Sequence, residues 1–383
     1  MKILIITMNV GRTAPGIVFE RLIYGLSKHH TIDVITSDYD PGVDLSDVKN
    51  IIDLRLTHLN SKISKLLLTL FAVDVSAKIW AKKTAAEVRR RNLNDYDLVF
   101  SFASYGHYAA AMAGNIISSQ LGIRHFVYSV DAIPPPVGWL KNDMFYRSIK
   151  KLTANLFRSV DGIFSANHKM LKYQTTTFKP KKNIIKGVIY NPSFGEVQQY
   201  PELGDESNMF LYTGGIYGPR KIDYILAAFR NVFKEYPNVV IEFVGTKLNE
   251  EALSNFTAEE RKAIVVHPFA KDLTPFYKRA TALLDIDAEL EDDIFLSSKI
   301  TNYININRVI ISETGTNSPS HQIFKNIGSI LQCGHNVEEI TNAMRRAINT
   351  KNKVDFSDRE EVINLFKLEN VVAEINKVID NEN

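Results

Sequence analysis

The stretch Ala282-Leu283-Leu284-Asp285-Ile286-Asp287, followed after a short break by Phe295-Leu296-Ser297-Ser298-Lys299-Ile300-Thr301-Asn302-Tyr303-Ile304, decides how this chain is read. The apolar run ending in acidic residues has the form of a buried strand that stops at an open sheet edge. A Ser-Ser-Lys turn then feeds a helix over Lys299–Ile306. Backbone N–H groups at a helix start, two hydroxyls and an ammonium together make an anion site. The competing reading is an ordinary capped helix with a surface lysine, and the rest of the chain must decide between them.

Working outward, the same strand-turn-helix unit recurs. In the first half, apolar strands are expected at Lys2–Thr7, Thr31–Thr36, Asp97–Phe102, His125–Ser129 and Gly162–Ser165. Helical patterns over Gly16–Lys28, Ser76–Asn92 and Tyr108–Leu121 lie between them. In the second half the strands are Phe210–Thr213, Val239–Val244, Ala263–Val266, Ala282–Ile286, Val309–Ile311 and Gly328–Gln332. The accompanying helices are Lys221–Tyr236, Thr274–Arg279, Lys299–Ile306 and Val337–Thr350, with one amphipathic helix over Asp358–Asp380. Near-continuous apolar strands alternating with amphipathic helices argue for parallel sheets covered on both faces. Residues 191–208 carry two prolines, two glycines and no apolar period, and read as a linker. The expected architecture is α/β, with two doubly wound, Rossmann-like domains facing across a cleft. The domains span 1–192 and 208–357, and the last helix, 358–383, packs back on the first.

Composition narrows the function classes. The 383 residues suit two cores. One cysteine, Cys333, excludes an intrachain disulfide, and no Cys/His cluster has zinc spacing. The apolar segments Ile3–Met8 and Leu66–Val73 are too short for a signal h-region or a membrane span, so a cytoplasmic protein is expected. Residues 1–190 hold 26 Lys and Arg against 14 Asp and Glu, whereas the remainder holds 20 against 29. Such asymmetry points to an anionic partner for the first half. No nucleic-acid motif or basic–aromatic interleaving is present. Lys78, Lys82, Lys83 and Arg89-Arg90-Arg91, beside Leu66–Val73, read either as a face for an anionic membrane surface or as a solvated helix.

Two further loops matter. Met8-Asn9-Val10-Gly11-Arg12-Thr13-Ala14-Pro15-Gly16 follows the first strand, with glycines that let a ligand approach the backbone. Its spacing is not that of a dinucleotide fingerprint. Tyr212-Thr213-Gly214-Gly215-Ile216-Tyr217-Gly218-Pro219-Arg220-Lys221 opens the second domain and sets two cations at a helix start, where they oppose the macrodipole unless an anion is bound.

From here the chain resembles retaining glycosyltransferases of the GT-B fold, the large family 4. The resemblance rests on Arg220-Lys221-Ile222-Asp223-Tyr224-Ile225, Phe243-Val244-Gly245, Leu283 to Asp287, Ser297-Ser298-Lys299-Ile300-Thr301-Asn302-Tyr303 and Asn307-Arg308-Val309-Ile310-Ile311. In the first half, Tyr128-Ser129-Val130-Asp131-Ala132-Ile133-Pro134, Trp139-Leu140-Lys141-Asn142 and Val160-Asp161-Gly162-Ile163-Phe164-Ser165-Ala166 resemble bacterial transferases that build surface polysaccharide. The pattern departs at two places. The family's Glu-x7-Glu pair falls on Ile294 and Asn302, and its loop arginine falls on Gly215.

The resemblance implies transfer of a sugar from a nucleotide diphosphate, UDP by preference, to a saccharide or lipid-linked acceptor, with retention, no cofactor and no metal. It places Gly16, Gly215, Arg220, Lys221, His267, Ser297, Ser298, Lys299 and Asn302 on the donor side. Arg12 and Asp131 fall on the acceptor side, and Asp131 and His107 take catalytic roles. Arg220 and Lys299 would stabilise the leaving diphosphate. Asp285-x-Asp287 reads as strand-end structure rather than a metal site. A nucleotide-sugar 2-epimerase and a silent sugar-nucleotide-binding protein are the alternatives.

Overall fold

The computed structural model describes every residue except 57–60, 137, 140–142, 205–207 and 381–383. Of the quoted segment 139–142, only Trp139 falls within the described residues. The chain divides into two compact units, Met1–Phe194 with Phe366–Asn383, and Gly195–Leu365.

The first unit is built on a parallel sheet of seven strands, with a two-stranded parallel ribbon beside it. Its strands are β1 (Lys2–Thr7), β2 (Asn9–Gly11), β3 (Thr31–Thr36), β4 (Asp38–Asp40), β5 (Asn50–Asp53), β6 (Leu98–Ala103), β7 (Arg124–Ser129), β8 (Gly162–Ser165) and β9 (Ile185–Val188). The order is β5-β3-β1-β6-β7-β8-β9, and β2 pairs with β4. Ile3 aligns with Ile32 on one side and Leu98 on the other. Successive side chains of β1 enter opposite cores, as strand geometry requires. Leu4 and Ile6 join Trp80, Ala113 and Ile149, while Ile3 and Ile5 join Phe19, Leu22 and Ile375.

The second unit carries β10 (Met209–Thr213), β11 (Val240–Val244), β12 (Ile264–His267), β13 (Ala282–Ile286), β14 (Val309–Glu313) and β15 (Ile330–Cys333) in the order β12-β11-β10-β13-β14-β15. Helices Asp223–Glu235 and Val337–Thr350 supply Ile225, Phe229, Ile340 and Met344 to its core. In each unit the strand order reverses beside the first strand, between β1 and β6 and between β10 and β13. Loops leaving two such strands diverge and open a crevice at the carboxyl edge.

Several expectations change. Strands β5 and β9 are additional edges, and β2 occupies what reads as a plain turn. The helix after β10 begins at Asp223, so Arg220 and Lys221 precede it. The helix after Lys299 is a single turn, Ile300–Tyr303. The final helix is broken into Glu360–Phe366 and Leu368–Asp380. The break has a cause: the Leu368 N–H donates to the Ser193 carbonyl (2.8 Å) and the Ser193 N–H to the Phe366 carbonyl (2.7 Å), which pulls Lys367 into a parallel bridge. Beyond the break, Val371, Val372, Ile375 and Ile379 pack with Leu22, Ile23 and Leu26 of the helix Ala14–Ser27. Gly25 makes this contact close, since a Cβ there would lie 2.5 Å from Val372 Cγ2.

Candidate functional site

The switch point of the second unit gathers the strongest chemistry. Gly214 follows β10 at a φ of +91°, which favours glycine. A Cβ there would sit 3.2 Å from Lys299 Cε. Lys299 comes from the loop after β13 and lies with Nζ 5.1 Å from the Tyr212 ring centre. Arg220, half-buried in the loop after β10, stacks over Tyr217 at 4.8 Å. Burial, then the Arg220 charge, lowers the Lys299 ammonium to about 8, against the opposing pull of Asp285 and Asp287. Arg220 moves the other way. Burial disfavours its charge, but Tyr217 and Asp287 outweigh that and raise it. Two loops from different strands thus bring two cations into one another's field.

Acidic groups lie beneath them. Asp285, Asp287 and Asp293 are almost wholly buried. Ser297 Oγ donates to Asp285 Oδ1 (2.5 Å), and Thr314 Oγ1 donates to Asp287 Oδ2 (2.8 Å). Burial and the Asp287 charge raise Asp285 and Asp293, while Lys299 and Arg220 restrain Asp285. Next to these, Glu313 at the end of β14 meets His335 Nδ1 at 2.9 Å. Desolvation opposes the imidazolium, but Glu313, Glu289 and Asp287 raise His335 overall. Burial raises Glu313, and His335 limits the rise. Glu313 and His335 escape the sequence reading because they lie outside the Ala282–Ile304 stretch. The available signal is that Glu313 and His335 end or follow the adjacent strands β14 and β15.

The remaining donor-side residues divide. Ser297 is buried and turned inward onto Asp285, accepting from the Lys299 N–H (3.3 Å) as well, so its hydroxyl supports the turn rather than facing outward. The Ser298 carbonyl accepts from Thr301 Oγ1 (2.9 Å) and Asn302 Nδ2 (3.1 Å), so that amide hydrogen is spent locally. With a one-turn helix behind it, this turn has no long macrodipole, and its charge comes from Lys299 itself. Lys221 leaves Arg220 and pairs with Glu289 at 2.6 Å on the exposed surface. Gly215 is exposed, and its carbonyl accepts from the Tyr212 hydroxyl (3.1 Å). His267 Nε2 is 2.9 Å from Glu242 Oε2, a carboxylate that also binds Arg279 (2.7 Å). The His267 carbonyl accepts from the Gly245 N–H (3.0 Å). Ile294 is buried.

In the first unit, Asp131 follows β7 and His107 follows β6. The Tyr105 N–H donates to Asp131 Oδ2 (3.4 Å), which ties the two loops together at one sheet edge. His107 is exposed, with its backbone bridged to Ser104. Arg12, also exposed, pairs with Asp38 of β4 at 3.2 Å. Gly16 is buried inside a helix, where a Cβ would lie 2.1 Å from the Gly11 carbonyl oxygen. Packing alone therefore demands glycine there, whatever binds nearby. Among the described residues, no three His, Cys, Asp or Glu side chains are grouped to hold a metal ion.

No family model and no curated protein matches the sequence. Solved structures do. Sucrose-phosphate synthase from Thermosynechococcus elongatus superposes with a TM-score of 0.70 at 13% identity over 100% of this chain and 98% of that one. HepE of Anabaena, solved with UDP and glucose, gives 0.66 at 11% identity over 99% of both chains. The lipopolysaccharide outer core galactosyltransferase WaaB gives 0.66 at 14% identity over the whole of both. The chain has the GT-B fold. At such identity the likeness shows architecture, and chemistry has to be argued from the residues.

Proposed function

We propose that this chain is a retaining glycosyltransferase that moves a sugar from a nucleotide diphosphate, UDP by preference, to a saccharide or lipid-linked saccharide acceptor in surface polysaccharide. The observation that carries the reading is the convergence of Arg220 and Lys299 at the switch point of the second unit, against a glycine held at positive φ. A diphosphate gathers negative charge as the anomeric bond breaks, and fixed cations there lower the barrier. Arg220 can grip two phosphate oxygens at once, while Lys299 offers a point charge. The buried carboxylates Asp285 and Asp287 favour the charge on Lys299, and Asp287 favours that on Arg220. In this reading the two side chains supply the charge stabilisation that a divalent ion provides elsewhere. Asp131 orients the acceptor, His107 lies in the same loop cluster, and the leaving phosphate takes the acceptor proton. The UDP preference draws on HepE, and the polysaccharide acceptor on WaaB.

One observation favours a second reading. Ile294 and Asn302 stand where the family has two glutamates, and Asn302 spends its amide on Ser298. A chain so altered could hold a nucleotide sugar without turning it over. Calorimetry with UDP and GDP, followed by turnover of a donor panel with and without acceptors, separates the two. Transfer with a retained anomeric configuration supports the first reading. Tight UDP binding with no turnover supports the second, and no affinity for any nucleoside diphosphate overturns both. Asp131→Asn is expected to slow transfer about tenfold or more while leaving UDP affinity within twofold.

A further inference from the structure

The first unit carries an inverted amphipathic helix. Helix Ser61–Phe71 turns Ile63, Leu66 and Leu70 outward, each 56–57% exposed, and ends on Phe71 at 64%. The i, i+3, i+7 spacing sets these three on a single stripe. Leu68 is the helix residue that enters the core, and the Thr69 carbonyl accepts from Ser148 Oγ (2.6 Å), which fixes the opposite side to helix Asp143–Phe157. A soluble helix ordinarily points its leucines the other way.

Exposed cations lie on this helix and on the next one. Lys62 and Lys65 are exposed on the same helix, and Lys78, Lys82 and the 49% exposed Ile79 on helix Val75–Arg90. Between residues 54 and 86 there are six Lys and Arg and one acid. That acid, Asp74, is spent on the Ala77 N–H and the Tyr108 hydroxyl, each at 2.9 Å. The triplet Arg89-Arg90-Arg91 contributes less than its sequence suggests. Arg90 and Arg91 both clasp Glu87, holding that carboxyl down at about 2.

We infer that the outward face of helix Ser61–Phe71 docks on an anionic lipid bilayer, its leucines entering the headgroup boundary and its lysines meeting lipid phosphates. Interfacial helices combine an aliphatic face with flanking lysines in this way. The cores of protein–protein interfaces are depleted in lysine, which argues against a protein occupant. No helix among the described residues is long and apolar enough to cross a membrane, so contact through this helix would be peripheral.

The test is pelleting of the full chain with vesicles of phosphatidylcholine and phosphatidylglycerol, against phosphatidylcholine alone. Binding is expected to the mixed vesicles and to fall at high salt. Leu66→Gln with Leu70→Gln should weaken it at least tenfold. Lys62→Gln and Lys65→Gln should each weaken it about fivefold, or about 1 kcal/mol. Ile63→Gln serves as an independent single change should the double variant fold poorly, as judged by circular dichroism. Absence of vesicle binding by the unaltered chain, or binding indifferent to these changes, overturns the inference. So does a dimer in sedimentation equilibrium that Leu66→Gln with Leu70→Gln converts to monomer, since the stripe would then belong to a second copy. No nucleotide enters this experiment, so its failure is distinct from failure of the transferase reading.

Discussion

A glycine-rich loop follows the first strand of each unit, and the two look alike in sequence. The structure fills one and leaves room in the other. In the first unit, a Cβ on Gly11 would lie 1.9 Å from the Asp40 carbonyl oxygen, and one on Gly16 would lie 2.1 Å from that of Gly11. The chain itself occupies the space that glycine frees, and Arg12 points out to Asp38. In the second unit, a Cβ on Gly215 would meet nothing nearer than 3.9 Å. Gly214 faces a lysine, and Arg220 lies half-buried beside it. A glycine loop therefore becomes evidence for a ligand only after its own backbone has been counted.

The largest effect expected from this contrast is on stability. Gly16→Ala forces a methyl against a fixed backbone oxygen and should cost about 3 kcal/mol in chemical unfolding. Gly215→Ala should cost less than about 0.5 kcal/mol. Equal losses would erase the distinction between the loops.

Next in size is the effect on ligand binding. Lys299→Met removes a charged partner from the diphosphate and should weaken UDP about 30-fold in calorimetry, in line with about 2 kcal/mol for a charged hydrogen bond. Its ammonium already lies well below the ordinary 10.5, so the fold is not stabilised by that charge. The melting temperature of Lys299→Met should accordingly not fall. Unchanged UDP affinity would remove Lys299 from the site. The same displacement gives a pH dependence. A bound anion favours the ammonium, so the complex holds its proton to a higher pH than the free protein, which releases it near 8. UDP affinity should fall as pH rises above about 8, by up to tenfold per unit, and Lys299→Met should flatten the profile.

The sheets were legible because their central strands are buried on both faces and so read as unbroken apolar runs, Ile3–Ile6 and Leu98–Phe100 among them. The edges were not. Asn50–Asp53 and Ile185–Val188 are partly exposed and carry Asn50, Asp53, Lys186 and Gly187, which give no apolar period. The cations Arg220 and Lys299 stood out because charge beside glycine and a strand end has few structural uses. Ser297 and Asn302 were expected on the donor side, yet Ser297 serves Asp285 and the Lys299 N–H, and Asn302 serves the Ser298 carbonyl; a hydroxyl or amide serves its own chain as readily as a ligand, and the sequence pattern does not distinguish the two. The break at Lys367 depends on Ser193, more than 170 residues earlier, and no local pattern announces such a pairing.

The smallest effect tests the rim of the open loop. His267 ends β12, and its imidazole is turned onto Glu242, which keeps Arg279 as a second partner. The residue's carbonyl, not its ring, is what the Gly245 N–H meets. His267→Ala should therefore leave UDP affinity within twofold and cost about 1 kcal/mol of stability, the worth of one hydrogen bond to a carboxylate that is still paired. A tenfold loss of affinity would place the imidazole against the nucleotide. It would also extend the ligand-bearing region of the second unit from the β10 and β13 loops to β12, and the contrast with the self-filled loop of the first unit would then rest on three strand ends instead of two.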